Sequence, residues 1–357
     1  MPIVAHNDLP TFDRLRAEGQ NILESDRALH QDIRELHIGL LNMMPDAALA
    51  ATERQFFRLV GQSNQIAQFY VHPFSLAGLA RSADARAHIE RWYEPFERIR
   101  EQGLDGLIIT GANVAGRNLA DQPFWEPLIE VVDWAYEKVT STLCSCLATH
   151  AVMQFRYGQT RRPLPAKRWG VYAHRVVDRH HPLVSSVNTL FDVPHSRFNE
   201  VSRTQFDAVG ARVLVESDVA GVHLAVSPDG LRQVMFQGHP EYDIVSLMKE
   251  YKREVRRFIG GHRQDYPPFP DNIFSVKLRA LLDEYGTLVE HEIDRGRQVP
   301  AFPEARVVAG LDNTWRDTAE GVVGNWMGLI YRVTHNDRRV PFMDGVDPND
   351  PLGLGRR

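Results

Sequence analysis

Between residues 36 and 157, short apolar runs alternate with amphipathic segments through four repeats, and this alternation constrains the fold more than any other feature of the chain. LHIGLLNMMP at 36–45 is an apolar run stopped by proline; IAQFYVHP at 66–73, DGLIITGAN at 105–113 and VTSTLCS at 139–145 repeat the texture. Runs this short, ended by proline, glycine or polar residues, read as strands buried on both faces. Between them, 47–60 places Leu49, Phe56, Leu59 and Val60 on one helical face, and helices are expected over 85–101, 123–138 and 147–157. Strand and helix in strict alternation require parallel strands joined by crossover helices. The expected fold is therefore α/β, a flavodoxin-like parallel sheet held between two helical layers.

From residue 158 the texture changes to shorter β-rich runs, GVYAHRVV, RVLVESD, VHLAVSPDG and RQVMFQGHPE, the last feeding a helix over 243–259. Prolines in YPPFPD (266–271) and VPAFPEA (299–305) bracket a charged helix over 272–297, which reads as an insertion or a dimerisation element; a homodimer is the expected assembly. A further helix is expected over 314–334. The organisation is then an N-terminal segment over 1–35, a catalytic α/β domain over 36–265, an inserted helical segment over 266–305, a C-terminal helical region over 306–345 packing on the core, and a disordered tail over 346–357.

Composition narrows the function. Lys plus Arg number 41 against 46 Asp plus Glu, a net charge of -5, which provides no electrostatic footprint for nucleic acid or an anionic membrane. No signal-peptide pattern opens the chain and no run approaches the length of a membrane span, so a cytoplasmic protein acting on small molecules is expected. The two cysteines, Cys144 and Cys146, are too close in sequence for a useful crosslink, which leaves free thiols in a reducing compartment.

Both cysteines sit where a parallel strand ends, the usual place for a ligand site in such a sheet. Cys146 has the better position: Leu147 opens the following helix and the small Ala148 lies two places on, as a strand-turn-helix nucleophile elbow demands. A thiol at a helix N-terminus gains from the macrodipole, and the Leu147 amide is placed to receive an oxyanion. The amides of Gly111 and Ala112, at the end of the neighbouring strand, suit the second half of that hole. Cys144 remains inside the strand as a small buried hydrophobe. For the base, QGHPEYD at 237–243 brings His239 and Glu241 out of a strand with side chains on one side, so Glu241 can orient the imidazole. HRVVDRHH at 174–181 offers His174, Asp178, His180 and His181, but no metal-ligand spacing recurs, and no metal is expected. GANVAG at 111–116 has the glycines of a P-loop without its Lys-Ser/Thr, which argues against a nucleotide site.

LNMMP (41–45), DGLIITGA (105–112), STLCSCLA (141–148), KRWGVY (167–172), PHSR (194–197), GHPEYDIVSLMKEYKRE (238–254) and NTWRDTAEGVVGNW (313–326) together resemble the homoserine O-acyltransferases of the succinyltransferase type, which have a class I glutamine-amidotransferase-like fold. The resemblance implies an acyl-cysteine at Cys146, a base at His239 and a second catalytic acid at Glu241, the residues chosen above. It implies amino-acid substrate contacts at Lys167, Ser196 and Arg253; Arg253 suits a substrate carboxylate, and Glu250, one turn earlier, its ammonium. It also implies that the small Ala115 selects succinyl-CoA, because glutamate at this position accompanies acetyl donors. No cofactor is implied beyond succinyl-CoA as co-substrate. Acetyl-CoA as donor, serine as acceptor, and glutamine amidotransfer remain alternatives, although the elbow SCLATH lacks the flanking glycines usual in the last class.

Overall fold

The structure of the protein, a computed structural model, describes residues 3–31, 33–63, 67–114 and 116–355. The chain opens with β1 (Ile3–Ala5), α1 (Pro10–Ala17), β2 (Ile22–Glu24) and α2 (Ser25–Leu29). The expected alternation follows as β3 (Glu35–Leu41), α3 (Asp46–Gln62), β4 (Gln68–Phe74), α4 (Ala83–Trp92), α5 (Phe96–Gln102), β5 (Gly106–Ile109), α6 (Trp125–Lys138), β6 (Ser141–Ser145) and α7 (Leu147–Tyr157). Next come β7 (Arg162–Val176), β8 (Leu190–Glu200), α8 (Arg203–Ala208), β9 (Arg212–Ser217), β10 (Gly221–Val226) and β11 (Gln233–Phe236). Helices α9 (Ser246–Ile259), α10 (Val276–Asp294), α11 (Glu304–Val308) and α12 (Arg316–Val333) complete the chain.

Among the described residues, eleven strands form one sheet in the order β2-β1-β4-β3-β5-β6-β11-β10-β9-β7-β8. Pairing is parallel from β2 through β11 and antiparallel from β11 to β8. Counted from β3, the strands β4-β3-β5-β6-β11 have the 2-1-3-4-5 order of a flavodoxin-like sheet, so the direction of winding reverses beside β3 and ligand sites belong at the carboxyl ends nearby. Every residue of β4, β5 and β6 is buried, as expected for strands covered on both faces. On one face, Ile38, Leu40, Ile108, Leu143 and Phe236 pack with Phe56 and Val60 of α3 and Trp326 and Ile330 of α12. On the other, Leu41, Leu107, Ile109, Cys144 and Met235 pack with Leu128 and Val131 of α6 and Ala148 and Val152 of α7.

Several expectations are corrected. The helix read over 85–101 is two helices, because Pro95 removes a donor and holds the residues before it extended. The N-terminal segment adds two three-residue strands to the sheet edge. The helix between the proline stretches is Val276–Asp294, capped by Ser275, and its buried face of Leu278, Leu282, Tyr285 and Val289 joins Trp169 and Tyr251 in a third apolar cluster. The tail is ordered through residue 355 by turns, with both Asp350 carboxylate oxygens accepting from the Leu354 and Gly355 amides and Leu352 packed on the core. Among the described residues no helix is long and apolar enough to cross a membrane.

Trp326 is fully buried and its indole N–H donates to Ser141 Oγ at 2.8 Å, which fixes α12 against β6. Trp326→Ala is expected to cost about 3–5 kcal/mol of stability, read as a fall in the urea midpoint of unfolding.

Candidate active site

Cys146 stands alone between β6 and α7 with φ 52° and ψ -105°, a left-handed backbone that L-residues other than glycine seldom adopt. Its amide donates to the Phe236 carbonyl of β11 at 2.8 Å, and α7 begins at the next residue. The side chain is thus lifted off the strand at the N-terminus of a helix, partly exposed. Cys144, two residues back, is fully buried in the apolar cluster beneath α7, and burial pushes its thiol up to about 12. The thiols have different environments although only Ser145 separates them.

The β5 loop approaches from the side. A Cβ built on Gly111 would lie 3.5 Å from Cys146 Cβ, so the Gly111 backbone runs beside that side chain. Thr110 holds that turn: its hydroxyl donates to the Gly111 carbonyl at 3.0 Å and accepts from the Met43 amide at 2.8 Å. Leu147 opens α7 and its side chain is buried; Ala112 packs beside the same apolar cluster. Ala115 lies outside the described residues. On either side of it, the carbonyls of Val114 and Gly116 accept from the guanidinium of Arg161, which is 2% exposed.

The chain leaves β11 through Gln237, Gly238 and His239. Gln237 is pinned by its side chain, which donates to the Val201 and Val222 carbonyls and accepts from the Val201 amide. Gly238 is required by close approach, since a Cβ there would sit 2.5 Å from Val193 and 2.8 Å from His223 Nδ1. The His239 amide then donates to the Pro194 carbonyl at 2.8 Å. His239 Nδ1 is 2.8 Å from Glu241 Oε1, with both side chains 5% exposed. The other ring nitrogen, Nε2, is buried and has no hydrogen-bond partner, and the ring is electrostatically coupled to Cys146. Burial alone would push this imidazole down, but the Glu241 carboxylate and the Cys146 sulfur outweigh it and raise its pKa to about 10. Glu241 Oε2 is buried without a hydrogen-bond partner.

A second group adjoins the first. Lys167 Nζ lies 3.0 Å from Glu250 Oε2, Ser196 donates to the same oxygen at 2.7 Å, and the Tyr242 hydroxyl donates to Oε1 at 2.9 Å. Burial would raise the Glu250 carboxyl, yet Lys167 and the two hydroxyls hold it below the usual carboxylate range. Tyr242 also stacks on His239, ring centroids 4.3 Å apart, which joins the carboxylate to the imidazole. Arg253, one turn along α9, is more than half exposed and lies 3.5 Å from Glu254. The fold therefore unites Lys167, Ser196 and Glu250 and leaves Arg253 exposed, outside that group.

Sequence reasoning missed Tyr242, although it lies within the quoted GHPEYD, and the buried cations Arg161 and Arg197, both electrostatically coupled to Cys146. The HRVVDRHH side chains disperse: His174 stacks on His195, Asp178 accepts from Arg212, His180 is exposed and His181 Nε2 meets the Gly230 carbonyl.

Comparison with known proteins bears on this arrangement. A family profile described as homoserine O-succinyltransferase matches residues 2–336. Proteins named homoserine O-succinyltransferase from Allochromatium vinosum and Nitrosococcus oceani are 72% and 63% identical, over 99% and 100% of this chain and 99% of each relative. One from Cardiobacterium hominis is 50% identical over the full length of both. Among solved structures, a glutamine amido transferase from Methylobacillus flagellatus aligns over 83% of this chain and 95% of its own, with a TM-score of 0.43 and 13% identity. With a profile covering most of its length and full-length relatives at this identity, the chain belongs to the homoserine O-succinyltransferase family.

Proposed function

We propose that this chain transfers a succinyl group from succinyl-CoA to the hydroxyl of L-homoserine through an acyl-cysteine, giving O-succinyl-L-homoserine and CoA for methionine biosynthesis. The observation that carries the reading is the elbow cysteine facing a buried His-Glu pair, in a chain 72% identical over almost its whole length to a relative of that name.

In the first half-reaction, the Cys146 thiolate attacks the thioester carbonyl and the resulting oxyanion is received by the amides of Leu147 and of Gly111 or Ala112. The carbon–sulfur bond to CoA then breaks and the His239 imidazolium protonates the departing thiolate. Acylation removes the charge on Cys146, one of the two groups that hold the His239 pKa up, while burial still pushes it down. His239 is thereby left as a neutral base. In the second half-reaction, Nε2 takes the proton of the homoserine hydroxyl, the oxygen attacks the acyl-cysteine, and Cys146 leaves as thiolate beside a re-formed imidazolium stabilised by Glu241. Exclusion of water protects the acyl-enzyme from hydrolysis.

For the acceptor, Glu250 has its orientation fixed by Lys167, Ser196 and Tyr242, and its remaining lone pairs suit the homoserine ammonium. The exposed Arg253 suits the carboxylate. For the donor, Ala115 adds no charge beside the distal succinyl carboxylate; a glutamate there would set like charges together in a desolvated pocket.

Three outcomes test the reading. Intact mass after brief exposure to succinyl-CoA is expected to show one succinyl adduct in wild type and Cys144→Ala and none in Cys146→Ala, with acetyl-CoA a poorer donor and homoserine removing the adduct; an adduct persisting in Cys146→Ala would refute the nucleophile. Removing the sulfur should lower the His239 pKa from about 10, followed by NMR titration of ring-labelled histidine in Cys146→Ala against wild type. Arg253→Ala is expected to raise the homoserine KM roughly 10- to 100-fold with burst acylation unchanged; equal loss in both half-reactions would move Arg253 to the donor side.

A further inference from the structure

A separate cluster of titratable side chains lies several strands away from Cys146. His6 follows β1, His72 lies within β4, and Glu94 joins α4 to α5; one donor atom from each lies within 4.8 Å of the other two. His72 Nδ1 is 2.5 Å from Glu94 Oε1, and the His6 and His72 rings are 5.0 Å apart at their centroids. His6 Nδ1 meets the Val4 carbonyl at 3.2 Å, so it carries the ring proton and Nε2 presents a lone pair. That Nε2 is buried and has no hydrogen-bond partner. A neutral His72 donating to Glu94 accounts for their contact without any ion; it leaves His6 Nε2 unanswered.

The far side of His72 extends the pattern. Its Nε2 meets His37 Nδ1 at 2.9 Å, and His37 Nε2 stands 3.5 Å from Glu35 Oε2. An imidazole and a carboxylate behind a ligand histidine are the outer support that fixes the ring and tautomer of a metal-bound imidazole. We propose that His6 Nε2, His72 Nδ1 and a Glu94 oxygen bind one divalent transition-metal ion of the zinc class, with water in the fourth position. Two imidazole nitrogens and one carboxylate oxygen suit zinc, at metal–ligand distances of about 2.0–2.2 Å. The ion would tie the end of β1, the strand next to the sheet edge, to β4 and to the turn at Pro95, a structural role separate from acyl transfer.

The test uses full-length Cys146→Ala protein, so that the active-site thiol cannot capture metal. Titration with Zn2+ is expected to show one ion per chain at micromolar affinity or tighter, with a raised unfolding midpoint in excess metal. Co2+ should give visible d–d absorption of four-coordinate nitrogen and oxygen ligation with no sulfur charge-transfer band. His6→Ala and Glu94→Gln should each abolish binding, and His37→Gln should weaken it roughly 10- to 100-fold. Glu94→Gln retains an oxygen to accept from His72, so its metal-free circular dichroism should match the parent and separate lost ligation from misfolding. No saturable binding in the Cys146→Ala protein, or undiminished binding in either ligand variant, overturns the proposal.

Discussion

The hydrogen bond from the Cys146 amide to the Phe236 carbonyl, 2.8 Å long, joins the last residue of one parallel strand to the first residue beyond its neighbour. It is formed with Cys146 in the left-handed region, a conformation that costs about 1–3 kcal/mol and persists because the elements on either side are over-determined by packing. His239 lies only three residues past Phe236, so the same bond that fixes Cys146 fixes the origin of the segment carrying that imidazole. Gln237 and Gly238 leave that segment little freedom, the one through its side-chain bonds to Val201 and Val222, the other by allowing contact with Val193 and His223. The geometry of the site therefore follows from two adjacent strand ends.

Charge is placed inside this frame only where something answers it. The His239 pKa is held up against burial by Glu241 and Cys146, and that of Glu250 is held down against burial by Lys167, Ser196 and Tyr242. Arg197 is met by His195 Nδ1, the Asn199 and Ala220 carbonyls and, at 3.6 Å, the Glu200 carboxylate, and Arg161 by two carbonyls of the β5 loop. Both guanidinium groups are shifted down to about 10, burial being the main cause, with the neighbouring Arg168 adding to it at Arg197 and Glu200 opposing it there.

The parts of the fold legible in the sequence were those whose signal is continuous. A fully buried strand such as β5 leaves an unbroken apolar run, and α7 was read with both ends correct because Cys146 precedes a regular amphipathic stretch and Gly158 ends it in a left-handed cap. β1 and β2, three residues each, are too short to leave a period, and β8 is an antiparallel strand with mixed burial and no apolar run. Pro95 was a visible stop that a helical reading of its surroundings overrode. At the site, local spacing singled out Cys146, His239 and Glu241 as candidates, whereas the bridge from Tyr242 to Glu250 depends on how α9 returns to the sheet. His6, His72 and Glu94 come from three distant segments, so no spacing in the chain could announce them.

The packing of α12 has a consequence for biosynthesis. One face of the central strands, including Ile108, Leu143 and Phe236, finds its cover partly in residues 316–333, near the end of the chain. A nascent chain emerging from the ribosome exposes that face until residues 316–333 have been made, long after the strands themselves are available to pair. Late coverage of a broad apolar surface makes folding slow relative to synthesis and leaves the unfinished protein a substrate for chaperones and for self-association.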